Sequence, residues 1–340
     1  MAEAWFEKRE RGSPWGLRVA RVLALRLGRR TTRVLLWPIT AYFFWTLPEG
    51  RAGLRCYYEA LDGRRPTRAR VFRHYLTFAR TILDRVYLLA QHHDAPPYEI
   101  RGFEAVASYL DQGQGVILLG AHLGSFEAAR AAAFSHPALK IQVIMHTGVS
   151  RQLNETLTVL HPEARDSIVP LGGPASLLRV REFLAHGGLV GLMGDRTITG
   201  EATYPADFLG PTAHFPLGPL RLAAVLRAPV FFFTALYRAS ADGACRYELV
   251  FEFLCGPAPD AKARDEWMRQ LGARYAQTLG AFCRVAPDNW FNFYDFWQVP
   301  DNDPSRPGAG RDPDYGGGPR GQSSMDGADA TEGHSAHGES

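Results

Sequence analysis

Between about residue 97 and residue 285, short apolar runs alternate with segments of helical periodicity. Alternation of this kind is typical of a largely parallel sheet flanked by helices. The last two runs lie close together with "SADG" between them, which predicts an antiparallel hairpin. We therefore predict an α/β fold with a central mixed, largely parallel sheet. The predicted strands are 115–120, 141–145, 167–172, 189–194, 229–237 and 247–254, and the predicted helices lie near 67–93, 102–112, 125–135, 148–160, 174–186, 217–227 and 260–283.

Changes in composition divide the chain into three parts. "DAPPYEIRG" interrupts the pattern after the amphipathic helix at 67–93, so we predict an N-terminal helical domain, 1–95, and an α/β catalytic domain, 96–300. From Asp301 onward, only Tyr315 and Met325 are large apolar residues, and acidic residues outnumber basic ones by 8 to 3. Because such a segment buries too little apolar surface to offset the entropy of ordering, 301–340 is predicted to be a disordered acidic tail.

The N-terminal part is strongly basic and carries an uncharged segment. Residues 1–90 contain 18 Lys and Arg against 7 Asp and Glu. A helix near 14–33 would place its arginines on one face, and "VLLWPITAYFFWTL" (34–47) follows without a charge. This pattern predicts association with a membrane, as an interfacial or re-entrant anchor kinked at Pro38. A tilted span, or a surface helix packed on the protein's own core, remains an alternative.

The remaining composition favours a reducing compartment and no bound metal. The four cysteines show neither C-x-x-C spacing nor a nearby histidine cluster, so we predict free thiols, no zinc site and no cofactor. The net charge is only +3 and the basic residues are concentrated at the front of the chain. We expect an anionic membrane surface or an acidic protein as partner, and no nucleic acid.

The stretch "LLGAHLGSFEAAR" (118–130) carries the candidate chemistry. His122 follows a predicted buried strand, and Ser125 and Glu127 begin the next helix. Since ligands of α/β sheets bind at the carboxyl ends of strands, His122 is placed where catalytic groups occur. We predict that the Glu127 carboxylate reaches one imidazole nitrogen and raises the pKa of His122, leaving the other nitrogen as a general base.

Spacing alone does not single out this pair, because His161–Asp166 and His334–Glu339 have the same separation. A structural histidine at a strand end, with an exposed glutamate, is the alternative interpretation. The stretch also lacks the G-x-S-x-G signature of a serine nucleophile, which argues against Ser125 as an acylated residue. Direct acyl transfer, in which His122 deprotonates the hydroxyl of the acceptor, fits better.

Several segments in order resemble the bacterial lipid A late acyltransferases, the HtrB-like family of the lysophospholipid-acyltransferase-like superfamily. They are the strand–H-x4-E–helix stretch, "GGLVGLMGDRTITG" (187–200), "ADFLGPTAHFPLGPLRLAAVLRAPVFFF" (206–233) and "APDNWFNFYDFW" (286–297), and the likeness spans roughly residues 5–298. The resemblance implies an O-acyltransferase at the cytoplasmic face of the bacterial inner membrane. It would move a fatty acyl group from an acyl carrier protein thioester to a hydroxyl of a membrane lipid.

The resemblance also implies roles for particular residues. His122 and Glu127 would be catalytic, and Asp195 and Arg196 would lie near the thioester or a phosphate of the acceptor. Ser125 and one arginine of the 150–170 region, Arg165 or Arg151, complete the predicted substrate-binding set. An ion pair between Asp195 and Arg196 at a turn is the structural alternative.

The likeness has departures. The chain ends its aromatic segment in "WFNFYDFW" (290–297), whereas the lipid A enzymes commonly end in a basic stretch. This resembles a divergent branch found beside aryl-polyene and polyketide lipid pathways, with another glycolipid or polyene lipid as acceptor. Two alternatives stay open. A glycerophosphate-type acyltransferase usually has a glutamate where "FPLG" (215–218) has leucine, and an inactive membrane scaffold would not need His122.

Overall fold

The computed structural model describes residues 22, 24–134, 141–146, 168–171, 173–197, 201–239 and 245–298. Residues Met1–Pro300 belong to one compact unit. The predicted helix at 148–160, most of the basic segment before Gly28 and the tail at 301–340 lie outside the described residues. The elements are α1 (Arg29–Thr46), α2 (Pro48–Asp62), α3 (Arg68–Leu89), β1 (Tyr98–Arg101), α4 (Phe103–Leu110), β2 (Val116–Gly124), α5 (Phe126–Phe134), β3 (Ile141–His146), β4 (Ile168–Leu171), α6 (Pro174–Ala185), β5 (Leu189–Met193), β6 (Thr203–Asp207), β7 (Thr212–Pro216), α7 (Gly218–Leu226), β8 (Val230–Ala239), β9 (Cys245–Cys255) and α8 (Arg264–Val285).

Seven of the described strands form one mixed sheet in the order β1-β9-β8-β2-β5-β3-β4. All neighbours pair in parallel except β8 and β9, which form the predicted antiparallel hairpin. The prediction of a central, largely parallel sheet flanked by helices is therefore confirmed. The sequence patterns did not predict the edge strand β1, the helix α2 or the small antiparallel hairpin β6–β7.

The sheet is buried on both faces, which explains why its central strands are continuous apolar runs. Along β2, Ile117 and Leu119 face one cluster of buried side chains, and Val116 and Leu118 face another. The first cluster includes α8 and the aromatic segment after it. The second includes α4 and α5. Strand β2 lies between β8 and β5, so its carboxyl end is enclosed by both layers.

Charged groups fasten α1 to the rest of the molecule. The Arg29 guanidinium donates two hydrogen bonds, of 2.7 and 2.8 Å, to the fully buried carboxylate of Asp84 on α3. Arg33 lies 3.6 Å from the same carboxylate, and the Tyr247 hydroxyl donates to it at 3.1 Å. Asp84 is thus a buried anion with two cationic partners, and a buried charge of this kind requires them.

Most of the apolar surface of α1 faces outward. The helix continues through Pro38, where the sequence predicted a kink, and buries only Leu36, Thr40 and Phe44. Along the remaining faces, large apolar side chains are exposed by 42 to 67%. Among the residues that the structure describes, no helix is both long and apolar enough to cross a membrane. The exposed set comprises Val34, Leu35, Trp37, Ile39, Tyr42, Phe43, Trp45 and Leu47.

Candidate active site

His122 lies in a bulge near the end of β2. Gly120 pairs with Phe233 of β8, but Gly124 pairs with Ala235, so four steps along β2 match two steps along β8. Bulges of this kind bend a strand and redirect its side chains, and they are common beside active sites. The bulge explains how a residue within a central strand presents its side chain at the edge of the sheet, with the side chain of His122 32% exposed.

Neighbouring elements hold the backbone of the bulge. The Gly120 carbonyl accepts from the Gly194 amide and from the Tyr275 hydroxyl, both at 2.9 Å. The Leu123 carbonyl accepts from the Thr234 hydroxyl at 2.7 Å. Gly124 closes the bulge at a φ of 76°, and a Cβ there would overlap the Ala235 carbonyl. The position therefore requires glycine.

The carboxylate that contacts the imidazole is Asp195, at the end of the adjacent strand β5. Asp195 Oδ1 lies 2.8 Å from His122 Nδ1, and Oδ2 accepts from the His122 backbone amide at 2.8 Å. Asp195 is fully buried. Because a carboxylate only accepts, Nδ1 carries the proton and the neutral ring keeps its lone pair on Nε2. No described residue bonds to Nε2.

The surroundings oppose the charged form of His122. Burial of the ring and the positive charge of Arg196 lower its pKa below 6.5, and the charges of Asp195 and Glu127 only partly offset this. Burial alone would raise the pKa of the Asp195 carboxyl, but His122 and Arg196 hold it below its ordinary value. The site therefore contains an ionised Asp195 beside a neutral imidazole. The sequence predicted a raised pKa for His122, and the structure reverses that direction because burial was not foreseen.

Glu127 occupies a different place from the one predicted. Its Oε1 lies 2.8 Å from a terminal guanidinium nitrogen of Arg85 on α3. The bulge turns the imidazole toward β5, so Asp195 takes the Nδ1 position that the sequence assigned to Glu127. Glu127 is buried, 7% exposed, which excludes the alternative of an exposed glutamate. Its charge still acts on His122 through space.

The other predicted site residues are distributed around this pair. The hydroxyl oxygen of Ser125, the residue before α5, is buried and has no hydrogen-bond partner among the described residues. Arg196 donates to the Phe291 carbonyl at 2.8 Å. Arg165 and Arg151 lie outside the described residues, so their assignment to the substrate stays a prediction.

The aromatic segment 290–297, which entered the sequence prediction only through the family resemblance, contacts both His122 and Asp195 directly. The Trp290 indole nitrogen donates to Asp195 Oδ2 at 3.1 Å, and the Phe291 amide donates to the His122 carbonyl at 2.7 Å. Leu123 and Trp290 also form an isolated antiparallel bridge. In the sequence, the segment was marked by its resemblance to the aromatic ending of the family, and none of its residues was assigned to the site.

The family model described as bacterial lipid A biosynthesis acyltransferase matches residues 68–298. The chain belongs to this family. A search of curated proteins found no match. The matched range begins with α3 and ends after the aromatic segment, so it contains His122, Glu127, Asp195 and Trp290. Membership of the family identifies the chain as an acyltransferase that acts on lipid.

For an acyltransferase of this family, the arrangement supplies one clear chemical element. It is a neutral imidazole with a fixed tautomer, whose free nitrogen can accept a proton from a hydroxyl group. A groove of about 760 Å³ between the β6–β7 hairpin and α8 lies apart from it, and its lining includes neither His122 nor Asp195. Trp290, which donates to Asp195, has its ring 5.2 Å from that of Phe208, the neighbour in sequence of Leu209 in the groove lining.

Proposed function

We propose that the protein transfers a fatty acyl group from an acyl carrier protein thioester to a hydroxyl of a membrane lipid, with His122 as the general base. The observation that carries the proposal is the geometry of the imidazole. Nδ1 is bound to the ionised Asp195, and Nε2 has no described protein partner. A neutral histidine poised in this way accelerates proton transfer by about 10²–10⁴-fold.

The reaction requires no covalent enzyme intermediate. Nε2 removes the proton from the acceptor hydroxyl, and the alkoxide oxygen attacks the thioester carbonyl carbon. The tetrahedral intermediate then breaks its C–S bond, and the imidazolium returns the proton to the departing thiolate. The products are the lipid ester and the free thiol of the carrier. Asp195 stabilises the imidazolium while it exists, as the acidic member of a catalytic triad does.

Two further residues are proposed to assist the reaction, Ser125 by contacting a substrate and Glu127 through its charge. Within the described part of the chain, the Ser125 hydroxyl is buried without a hydrogen-bond partner, three residues after His122. Since an unsatisfied buried hydroxyl is costly, a substrate oxygen is its natural partner. Glu127 adds negative charge beside the imidazolium and is proposed to assist His122 through space rather than by a direct bond.

The proposed site of action is the cytoplasmic face of the bacterial inner membrane. The exposed apolar side chains of α1, with two tryptophans and a tyrosine among them, suit the interface of a bilayer. The surplus of basic residues in the first ninety suits both anionic lipid headgroups and an acidic carrier protein. The acceptor is proposed to be a lipid A-like glycolipid or another hydroxylated membrane lipid.

The test uses the full chain in vesicles of lipids extracted from bacterial inner membranes, with palmitoyl-acyl carrier protein as donor. Release of free thiol measures turnover, and mass spectrometry of the lipids identifies the acylated product. We expect His122→Gln to lower kcat by at least about 10²-fold, because the variant has no group that accepts the proton.

The matched control is His186→Gln, which changes an exposed histidine at the end of α6. It should retain the activity of the unchanged protein. Activity of His122→Gln within threefold of the control would contradict the proposed base. An acylated product that appears equally with palmitoyl-coenzyme A would contradict the preference for a carrier protein.

A further inference from the structure

Among the described residues, three donors contact the Asp195 carboxylate, and one of them, the Trp290 indole, is independent of His122. Oδ1 accepts from His122 Nδ1 and Oδ2 accepts from the His122 amide, both at 2.8 Å. The third donor is the Trp290 indole, 3.1 Å from Oδ2. The indole comes from a segment 95 residues further along the chain, after α8. It therefore fixes the carboxylate relative to the body of the protein.

We infer that Trp290 is a positioning residue of the acyl transfer, which acts through Asp195 on the imidazole of His122. The inference rests on the proposed function, in which His122 is the base. Trp290 does not touch the reacting atoms. Its N–H holds Oδ2, so that the other oxygen stays in line with Nδ1 and keeps the proton off Nε2.

The indole is itself anchored from behind. The Trp290 carbonyl accepts a hydrogen bond from His74 Nε2 at 3.0 Å, and His74 is fully buried in α3. The Tyr58 hydroxyl of α2 lies 3.0 Å from His74 Nδ1 and donates to Asp288 at 2.6 Å. Polar contacts thus connect α2 and α3 to the backbone of Trp290, whose indole binds the Asp195 carboxylate. With this support, Trp290 keeps the Asp195 carboxylate in a fixed orientation during the reaction.

A purely structural role for Trp290 is the competing explanation. The side chain is fully buried and packs edge-on against Phe208 and Phe296, with ring centroids 5.2 and 5.0 Å apart. Loss of the indole would therefore destabilise the fold whether or not its N–H matters. The two explanations differ in what they predict for a variant that keeps the ring system and lacks only the N–H group.

The electrostatic consequence has a definite sign. A hydrogen bond to the charged form of Asp195 draws negative charge away from the imidazole. Without the indole N–H, Asp195 stabilises the imidazolium more strongly, and the pKa of His122 rises from its depressed value. Since the base must be neutral, the acid limb of the kcat/KM profile moves to higher pH. The other groups that face the pair stay unchanged: Arg196 and Glu127 face His122, and Tyr275, Tyr294 and Cys283 face Asp195.

The experiment replaces Trp290 by phenylalanine and, site-specifically, by benzothienylalanine, which has the shape of tryptophan with sulfur in place of N–H. Turnover is followed as thiol release from palmitoyl-acyl carrier protein in vesicles of inner-membrane lipids. We expect both variants to lower kcat about 10-fold, since hydrogen bonds to charged groups are worth this much or more. KM should change by less than twofold, and the acid limb should move upward.

Trp267→Phe is the matched control. The Trp267 indole is also buried, and its N–H donates a hydrogen bond to the Gly256 carbonyl at 3.1 Å instead of to Asp195. The control should lose stability without a shift of the pH profile. A titration of His122 by imidazole NMR gives a readout independent of turnover, and the pKa should rise in both Trp290 variants but not in Trp267→Phe.

Two failures are distinguishable. If His122→Gln remains active, the proposed function is wrong and the role of Trp290 in it falls too. If His122→Gln is inactive, but the benzothienylalanine variant keeps the kcat, the pH profile and the His122 pKa of the unchanged protein, only the inference about Trp290 is overturned. Benzothienylalanine keeps the volume of the indole, so a failure of Trp290→Phe to fold leaves the test intact.

Discussion

Arg85 of α3 binds Glu127 of α5 at 2.8 Å, so the acidic residue of the H-x4-E motif is shared with the N-terminal helices. The Glu127 side chain is 9% exposed and its partner 27%. A charge this enclosed needs a counter-ion, and Arg85 provides it from outside the sheet. Two carboxylates thus divide the tasks around His122. Asp195 sets the tautomer through a hydrogen bond, and Glu127 adds negative charge from a distance.

This division of tasks predicts that replacing Asp195 lowers kcat by more than replacing Glu127 does. In Asp195→Asn, the amide can donate to Nδ1 and move the imidazole proton to Nε2, which removes the base. We expect kcat to fall by about 10²–10⁴-fold. In Glu127→Gln the tautomer is unaffected, so the loss should be smaller. Thiol release from palmitoyl-acyl carrier protein measures both, and equal losses would contradict the division of tasks.

The bulge should not tolerate a side chain at Gly124. In Gly124→Ala, a Cβ would overlap the Ala235 carbonyl in addition to the strain of a positive φ. Gly113 has a similar φ of 73° and open space around it, so Gly113→Ala reports the strain alone. We expect the control to lose about 1–2 kcal/mol of the free energy of unfolding. Denaturant unfolding should show a clearly larger loss for Gly124→Ala, and equal losses would mean that β8 adjusts.

Buried His74 should make stability depend on pH. Burial lowers its pKa from 6.5 to about 4, while Asp288, Arg70 and Arg73 lie around it. Between these values the unfolded chain binds a proton that the folded chain does not. The stability contributed by neutral His74 is therefore complete above pH 6.5 and is lost as pH falls toward 4. From pH 7 to pH 5 the loss is about 2 kcal/mol.

His74→Gln should remove this part of the pH dependence, even though the variant is less stable at pH 7. Denaturant unfolding at pH 7 and pH 5 gives the difference for each protein. Carboxylates titrate equally in the variant and the unchanged protein, so the comparison isolates His74. The exposed His186→Gln should keep the full loss. A loss in His74→Gln as large as in the unchanged protein would show that His74 is not the group responsible.

The exposed face of α1 predicts binding to lipid vesicles. Trp37 and Trp45 are 54% and 66% exposed, so their replacement by serine should not disturb the core. Tryptophan side chains that insert into the interface of a bilayer contribute strongly to membrane binding. We therefore expect the double variant to partition at least about 10-fold less into anionic vesicles. Val285→Ser, at a 58% exposed valine at the end of α8, is the control. Equal partitioning of both variants would place the membrane contact elsewhere.

The sheet and most helices were predictable, because buried strands and amphipathic helices have local patterns. The hairpin β6–β7 was not, since Pro205 and Pro216 interrupt its strands and Leu209 between them adopts a positive φ. Helix α2 contains Gly50 and Gly53, which weaken its helical signal. A Cβ at Gly53 would overlap the backbone of Tyr294. Glycine is therefore required at this position by a contact that forms only in the folded chain.

The candidate site likewise depends in part on contacts that form only in the folded chain. His122 was predictable because a strand, a histidine and a helix follow one another in the sequence. Asp195 was expected near the site, but the bulge that brings His122 to it depends on pairing between β2 and β8. The indole of Trp290 lies 95 residues from Asp195, and no local pattern marks such a contact. Long-range polar contacts of single residues are therefore the part that sequence reasoning missed.

Asp84 sets a limit on how the enzyme can be divided. The family match begins at residue 68, which suggests that the earlier residues form a detachable anchor. Yet both cationic partners of the buried Asp84 carboxylate, Arg29 and Arg33, precede that point. A chain shortened to residue 68 would keep the anion and lose its counter-ions, at a cost of about 3–5 kcal/mol. We therefore expect the segment that carries Arg29 and Arg33 to be required for stable folding of the residues that the family model matches.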